Sequence, residues 1–291
     1  MKQHIDIIDG HAFARSEYVA CPICGQTKQS RRISVRFGQI AMVAECRDCR
    51  IAFQSPRPSL EASIAYMDWR WRSTDTYVAD VQSQLKRAIT QMSYVRQYNT
   101  GPLNIVDFGA GAGSFVRAAI DNGWKATGIE HSDSAIARAK EYYDVDLCKK
   151  FPHQKYDVAT MWDVIEHLRD LHGTLTLVAE HLNPDGFFFI ETGNFESWRR
   201  LAEKDRWGLY LFDHQYYFTP SSLEQVLRRA GFENFQLLDA NRGTPAITFK
   251  RFVRHPIRTP VSWLRWKNAM SRWPSHGEIS IMVAVAQKCA I

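Results

Sequence analysis

Residues 103–130, LNIVDFGAGAGSFVRAAIDNGWKATGIE, constrain this chain more than any other stretch. Leu103, Ile105, Val106 and Phe108 form a short apolar run without helical period, which predicts a buried parallel strand. Asp107, Gly109, Gly111 and Gly113 then fall at every second position where strand gives way to helix. Glycine there lets the backbone turn tightly and come close to a ligand that a Cβ would hold off. Phe115, Val116, Ala119 and Ile120 have helix spacing, and Asn122-Gly123 ends the helix. A second strand at 126–129 finishes on Glu130, an acid placed to take two ribose hydroxyls. This is a βαβ unit for holding a nucleoside.

A dinucleotide site would need G-x-G-x-x-G with the helix N-terminus aimed at a pyrophosphate, and the third glycine of that pattern is Ser114 here. The D-x-G-x-G-x-G pattern, with an acid closing the next strand, instead resembles motif I and the ribose acid of class I S-adenosylmethionine-dependent methyltransferases. That resemblance implies cofactor binding at Asp107, Phe108, Gly109, Gly111, Gly113, Glu130 and His131. The ligand carries no phosphate, and its cationic sulfonium and amino-acid ends suit carboxylates such as Asp107. A glycine turn that binds nothing would leave the agreement of turn, helix and distal acid unexplained.

The second informative stretch is YDVATMWDVIEHL at 156–168. Past Glu130, Ser132-Asp133 caps a helix and 145–148 reads as a short third strand; residues 158–162 read as the fourth, with Asp163 at its carboxyl end, where open α/β sheets bind ligands, and Thr219-Pro220 starts a later helix. Leu171, Leu175, Val178 and Leu182 mark a helix, 183–186 a turn and 187–191 the fifth strand. WDVIEHL followed by HLNPDGFFFIET, and later DHQYYFTPSSLEQVLRRAGF, resembles the branch of that superfamily containing ubiquinone-pathway O-methyltransferases and sugar and natural-product methyltransferases. The resemblance adds Trp162 and Asp163 to the cofactor residues. It also sets Asp163-x-x-Glu166-His167 where some of those enzymes bind a divalent cation such as Mg²⁺ through E-x-x-E-H. Spacing i, i+3, i+4 puts three ligands on one helical face, although the same groups can equally hydrogen-bond the helix to its neighbours. His214, with Tyr216 and Tyr217, would lie on the loop facing the acceptor. His214 and His167 are the candidate catalytic bases.

Near the N-terminus, Cys21-x-x-Cys24 and Cys46-x-x-Cys49 each read as a metal knuckle, joined by a segment, 31–43, able to form strands. Two thiolates from each of two tight turns suit tetrahedral Zn²⁺, and four protein ligands leave no open position, so the metal is structural. The ribbon could be a docking surface, or a folded cap that shields the site. Ser55-Pro-Arg-Pro58 reads as a stiff connection into an aromatic stretch, which contains Trp69, Trp71 and Tyr77. Val78, Val81, Leu85, Ile89, Met92 and Val95 then predict a helix leading to the first strand.

The net charge of +6 is uneven: residues 241–291 hold nine Lys or Arg against one Glu, whereas the first 240 hold 28 basic and 30 acidic residues. Within this basic part Trp263, Trp266, Met270 and Trp273 fall on one face of a helix that Thr259-Pro260 would start. Such a face suits a membrane interface, an anionic lipid-linked substrate, or docking on this domain or a second copy of it. No hydrophobic signal region follows Met1 and no apolar run approaches the ~20 residues of a membrane span, so the expected location is the cytoplasm.

The expected architecture is α/β, a Rossmann-like seven-stranded class I methyltransferase sheet with a small N-terminal zinc ribbon. The ribbon would occupy 1–58, an aromatic linker and helix 59–101, and the methyltransferase domain 102–291 with a basic insertion at 242–276. The expected activity is O-methylation of a small molecule such as a sugar, nucleotide sugar, glycolipid or natural-product intermediate. The alternatives are C-methylation of a keto-sugar, or RNA methylation using the ribbon and the basic segment; the slightly acidic first 240 residues argue against nucleic acid. A zinc-ribbon adaptor without chemistry is a third reading. The oligomeric state is left open.

Overall fold

The computed structural model describes residues 4–8, 11–27, 31–37, 39–73, 81–238 and 281–289. The Trp263–Trp273 face, its start at Thr259-Pro260, Tyr77 and Val78 lie outside the described residues.

Two small antiparallel sheets form the N-terminal unit. Strands β1 (His4–Ile8) and β2 (His11–Glu17) make a hairpin, while β3 (Arg31–Phe37), β4 (Gln39–Glu45) and β5 (Ala52–Gln54) pair as a meander. The proline-rich link expected to be a spacer contributes β6 (Arg57–Pro58), which pairs with β2. Helices α1 (Leu60–Ser73) and α2 (Val81–Arg96) follow. On α2 the inward face is Ala88, Gln91, Met92 and Val95, and Ile89, expected inside, is 60% exposed. Position 89 lies one residue past inward Ala88, about 100° around the helix from it.

The βαβ unit forms as expected from β7 (Asn104–Phe108), α3 (Ser114–Asp121) and β8 (Lys125–Ile129). It continues through α4 (Asp133–Tyr143), capped by Ser132, then β9 (Tyr156–Trp162) and α5 (Leu171–His181). Strand β10 (Leu182–Gly193) is longer than expected, because the Asn-Pro-Asp-Gly turn is taken up as a bulge between Leu182 and Phe187. After it come α6 (Trp198–Glu203), β11 (Tyr216–Tyr217), α7 (Pro220–Arg229), β12 (Phe232–Leu238) and β13 (Ile281–Lys288).

The central sheet has the order β12-β13-β10-β9-β7-β8, with β13 antiparallel to both neighbours. The strand expected at 145–148 is reduced to one parallel bridge, Ile129 to Cys148, held by two backbone hydrogen bonds. The chain leaves the sheet edge there through Lys149, which pairs with Asp133, and the exposed Lys150.

The period-two alternation of the strands divides the core between the two faces of the sheet. Ile105, Val158, Phe189 and Val283 meet α2 and α3 through Met92, Val95, Phe115 and Ala119. Val106, Met161, Phe188 and Ile190 meet α5 and α7 through Leu171, Leu175, Leu223 and Leu227. That second cluster runs on without a break into Cys21, Cys46, Cys49, Ile51 and Phe53. The ribbon is therefore packed against the main core.

Residues 194–218 supply the remaining link. Phe195, Trp207, Tyr210 and Tyr217 form a buried aromatic cluster against Val43 and Ala52, and β11 adds to the edge of β5 to give a sheet of order β11-β5-β4-β3. No helix among the described residues is long and apolar enough to cross a membrane.

Helix α7 starts on a capping box in which the Thr219 hydroxyl accepts from the Ser222 N–H at 3.1 Å and Pro220 follows the cap. Thr219→Ala should lower the unfolding free energy by about 1 kcal/mol in a denaturant titration, and no change would mean that the cap contributes nothing.

Candidate active site

The glycine turn closes β7 with Gly109, Gly111 and Gly113 all at positive φ (63°, 55° and 83°). A Cβ on Gly109 would stand 2.6 Å from Val164 Cγ2. The turn therefore abuts the loop that follows β9, and the two halves of the site meet there. Glu130 folds back onto the turn, its Oε2 accepting from the Gly111 N–H at 3.0 Å and its Oε1 from His131 (2.7 Å) and Ser132 (2.9 Å). The carboxylate keeps further lone-pair positions for ligand hydroxyls. Asp107 is 3% exposed, accepts from the Thr160 hydroxyl at 2.6 Å, and is pushed up to about 7 by burial, against that hydrogen bond and with Glu130 adding to the rise.

Three of the expected cofactor residues differ in kind from the rest. The Phe108 side chain packs inward on Phe151 at 4.4 Å, so only its backbone can face a ligand. Trp162 stacks on Phe115 at 5.3 Å, and its indole N–H is buried without a hydrogen-bond partner among the described residues. Asp163, at φ 57°, gives its carboxylate to Arg87 on α2, which also reaches Glu191 Oε1 at 2.6 Å. Although half-buried, Arg87 is held firmly charged by these two acids. Sequence reasoning missed Arg87. Its one signal is its place beside inward Ala88, on the helix that leads into the glycine strand.

After β9, a single 3-10 turn at Ile165–His167 carries Glu166 and His167, and the segment before β11 carries Asp213 and His214. The His167 and His214 rings lie 4.7 Å apart, edge to face. His167 Nδ1 is 3.0 Å from the Asp213 backbone oxygen and 3.5 Å from its Oδ2, and Arg70 of α1 pairs with the same carboxylate. Burial, reinforced by neighbouring His167 and opposed by Asp213, pushes His214 down to about 3. Glu166 is 2% exposed, accepts from Thr192 Oγ1 at 2.9 Å, and is raised by burial, opposed by His167.

Glu166, His167 and His214 offer ligand atoms within 4.8 Å of one another. Asp163, expected in the cation set, is outside that group because its carboxylate is engaged by Arg87, and His214 stands there in its place.

The four ribbon cysteines do converge, with ligand sulfurs within 4.8 Å of one another and Cys24 Sγ 3.8 Å from Cys46 Sγ. Tetrahedral Zn–S bonds of about 2.3 Å require sulfurs about 3.8 Å apart, and all four cysteines are free thiols. Burial raises Cys21 and Cys49, so four thiolates need a cation beside them. The cluster fits a zinc ribbon.

A mostly parallel sheet with a reversed strand near one edge and a glycine turn facing an acid is the architecture of class I S-adenosylmethionine-dependent methyltransferases. A family model described as a methyltransferase domain matches residues 77–237, more than half of the chain, and the chain belongs to that family. It is 31% identical over 149 residues to a ubiquinone biosynthesis O-methyltransferase of Saccharophagus degradans, covering 44% of this chain and 63% of that protein. Against a protein of the same name from Rhodopseudomonas palustris it is 28% identical over 145 residues, with 44% and 57% covered. The matched region thus spans less than two thirds of either relative. Among solved structures, a methyltransferase of Archaeoglobus fulgidus superposes with a TM-score of 0.51 at 15% identity, covering 77% of this chain and 99% of that one. A putative Haloferax volcanii methyltransferase, solved with the Trm112 activator, gives 0.50 at 17% identity, with 74% and 97% covered.

Glu130→Ala should weaken S-adenosylhomocysteine binding by about 100-fold in calorimetry, the loss of one or two hydrogen bonds to a charged acceptor. An unchanged affinity in folded protein would remove Glu130 from the site. Purified protein should carry one zinc per chain by elemental analysis, and metal-free protein with native melting would dismiss the ribbon.

Proposed function

We propose that this protein transfers the methyl group of S-adenosylmethionine to a hydroxyl of a small molecule, in the class of sugars, nucleotide sugars, glycolipids and natural-product intermediates. When bound, the cofactor supplies a methyl group on a cationic sulfur. Asp107, Gly109, Gly111, Gly113 and Glu130 would hold it, with the backbone at Phe108 and His131. Arg87 lies at the carboxyl ends of β9 and β10 and would meet the carboxylate of its amino-acid end. Buried Asp107 supports this reading, because an adjacent ligand cation would relieve the penalty on its charge.

The observation that carries the reaction is the hydrogen bond of His167. A backbone carbonyl only accepts, so His167 Nδ1 must donate to Asp213 O, and the neutral ring then presents the Nε2 lone pair. Asp213 orients the ring and faces the charge it would gain. His167 Nε2 would take the proton of the acceptor hydroxyl, readying its oxygen for the methyl group that the bound cofactor would supply. His214, uncharged at neutral pH, packs against His167 and is too weak a base for that step. O-methylation is preferred because the similar curated proteins carry that name, and a ketone-activated carbon could use the same base.

A second reading has its own observation, the convergence of Glu166, His167 and His214. These would hold a divalent cation, which would supply Lewis acidity toward the acceptor oxygen.

Incubation with S-adenosylmethionine and fractionated sugar or metabolite pools should yield a product heavier by one methyl group. His167→Gln should cut that turnover by about 10²–10⁴-fold while S-adenosylhomocysteine affinity stays within about twofold of wild type. Turnover at the wild-type rate would remove His167 from the chemistry.

A further inference from the structure

Residues 211–215 carry Asp213 and His214, and strand β5 of the ribbon grips both ends of that segment. The Gln54 side chain donates from Nε2 to the carbonyls of Leu211 (2.8 Å) and Phe212 (3.2 Å), and its backbone N–H donates to Gln215 O at 2.9 Å. Strand β5 starts directly after a cysteine knuckle, in which the Arg50 N–H donates to Cys46 O at 2.8 Å and the Cys46 N–H to Ile51 O at 2.9 Å. The knuckle and the grip on the acceptor segment are thus a few residues of one strand apart.

Gln215 bridges the last gap. Its N–H donates to Glu166 O at 2.8 Å, and its Nε2 donates to His167 O at 3.2 Å. On the other side, its Oε1 accepts from Arg57 Nη1 at 3.2 Å. Arg57 is itself fixed by Glu17 on β2 at 3.0 Å and by the carbonyl of Arg169 at 3.1 Å. Gln215 is 5% exposed, so its bonds have little competition from water. Its chemistry is matched to both neighbours: the His167 carbonyl only accepts and the Arg57 guanidinium only donates, so a donor and an acceptor are needed on one side chain. A carboxylate would fail toward His167 and a thioether toward both.

We infer that Gln215 is a positioning residue for methyl transfer, the joint through which the four-cysteine ribbon holds the Glu166–His167 peptide and so aims the His167 imidazole. The inference rests on the reading of His167 as the base. It gives the ribbon a task other than substrate docking: it fixes the acceptor half of the site. The cofactor half, 104–130, takes no hydrogen bond from Gln215.

The test uses zinc-loaded full-length protein and needs no acceptor. Amide exchange is followed by mass spectrometry in wild type, Gln215→Met and Arg57→Met, and the histidine ring nitrogens are followed by ¹⁵N NMR, with His167→Gln for assignment. Gln215→Met should speed exchange at 166–169 by about tenfold or more. Exchange at 104–130 and S-adenosylhomocysteine affinity should stay within about twofold of wild type, and the single Nδ1–H tautomer signature of His167 should be lost. Arg57→Met removes the outer half of the joint and also the bond to the Arg169 carbonyl, so it is read at 166–168 only, where it should produce the same pattern more weakly; it keeps the test open if Gln215→Met does not fold. Unchanged exchange at 166–169, or equal acceleration at 104–130, would overturn the inference. Wild-type turnover in His167→Gln would topple the base assignment and leave the exchange result standing, so the two failures are separable.

Discussion

The pairing of two residues of β11 with β5, Tyr216 with Phe53 and Tyr217 with Ala52, is the contact on which the segment carrying Asp213 and His214 depends. The segment after β10 leaves the carboxyl edge of the sheet, where a single parallel bridge, Asn194 to Phe218, ties its two ends together. Strand addition gives it backbone partners, and the aromatic cluster of Phe195, Trp207, Tyr210 and Tyr217 covers the join. The ribbon in turn gains what a unit of its size lacks. Its buried cysteines and Phe53 belong to the apolar cluster that includes Phe188 and Leu227, so the main domain lends it a core. Each part completes the other, and free energy from metal binding would be shared across the join.

The two halves of the site are built on different principles. On the proposed reading the cofactor half is largely local, a glycine turn, a helix start and Glu130 within one βαβ unit, with Arg87 of α2 its one distant member. The acceptor half is assembled from distant parts of the chain, with Arg70 from α1, Glu166 and His167 after β9, Thr192 from β10, and Asp213 and His214 before β11. Groups gathered this way keep their geometry only when each is held by several others. Their density of hydrogen bonds and ion pairs serves preorganisation.

That contrast explains what could be read from the amino-acid sequence. The glycine turn, the caps at Ser132 and Thr219, and the four cysteines are patterns within a few residues, and each stands where its spacing placed it. Arg87, Asp213 and Gln215 left no such trace, because their roles come from partners 76, 46 and 48 positions away. Asp163 was read as a ligand from its spacing to Glu166 and His167, which an unseen arginine on another helix overrides. The strand expected at 145–148 is shorter than its apolar run suggests: Val145 and Leu147 pack inward, but only Cys148 pairs with the sheet, and Lys149 goes on to Asp133.

Under the proposed reading, the two histidines differ in their fitness to take a proton. His214 is enclosed, and the charged form of His167 beside it would further disfavour a second charge. His167 is the more open ring and has Asp213 next to it, so a positive charge there meets a carboxylate rather than a second imidazolium. Arg70 on the far side of Asp213 shares the same carboxylate, so Asp213 is held between two groups rather than left free to move. Under the proposed reading that double hold is what fixes the direction of the His167 ring, with its Nδ1 on the Asp213 backbone oxygen and its Nε2 turned toward the acceptor.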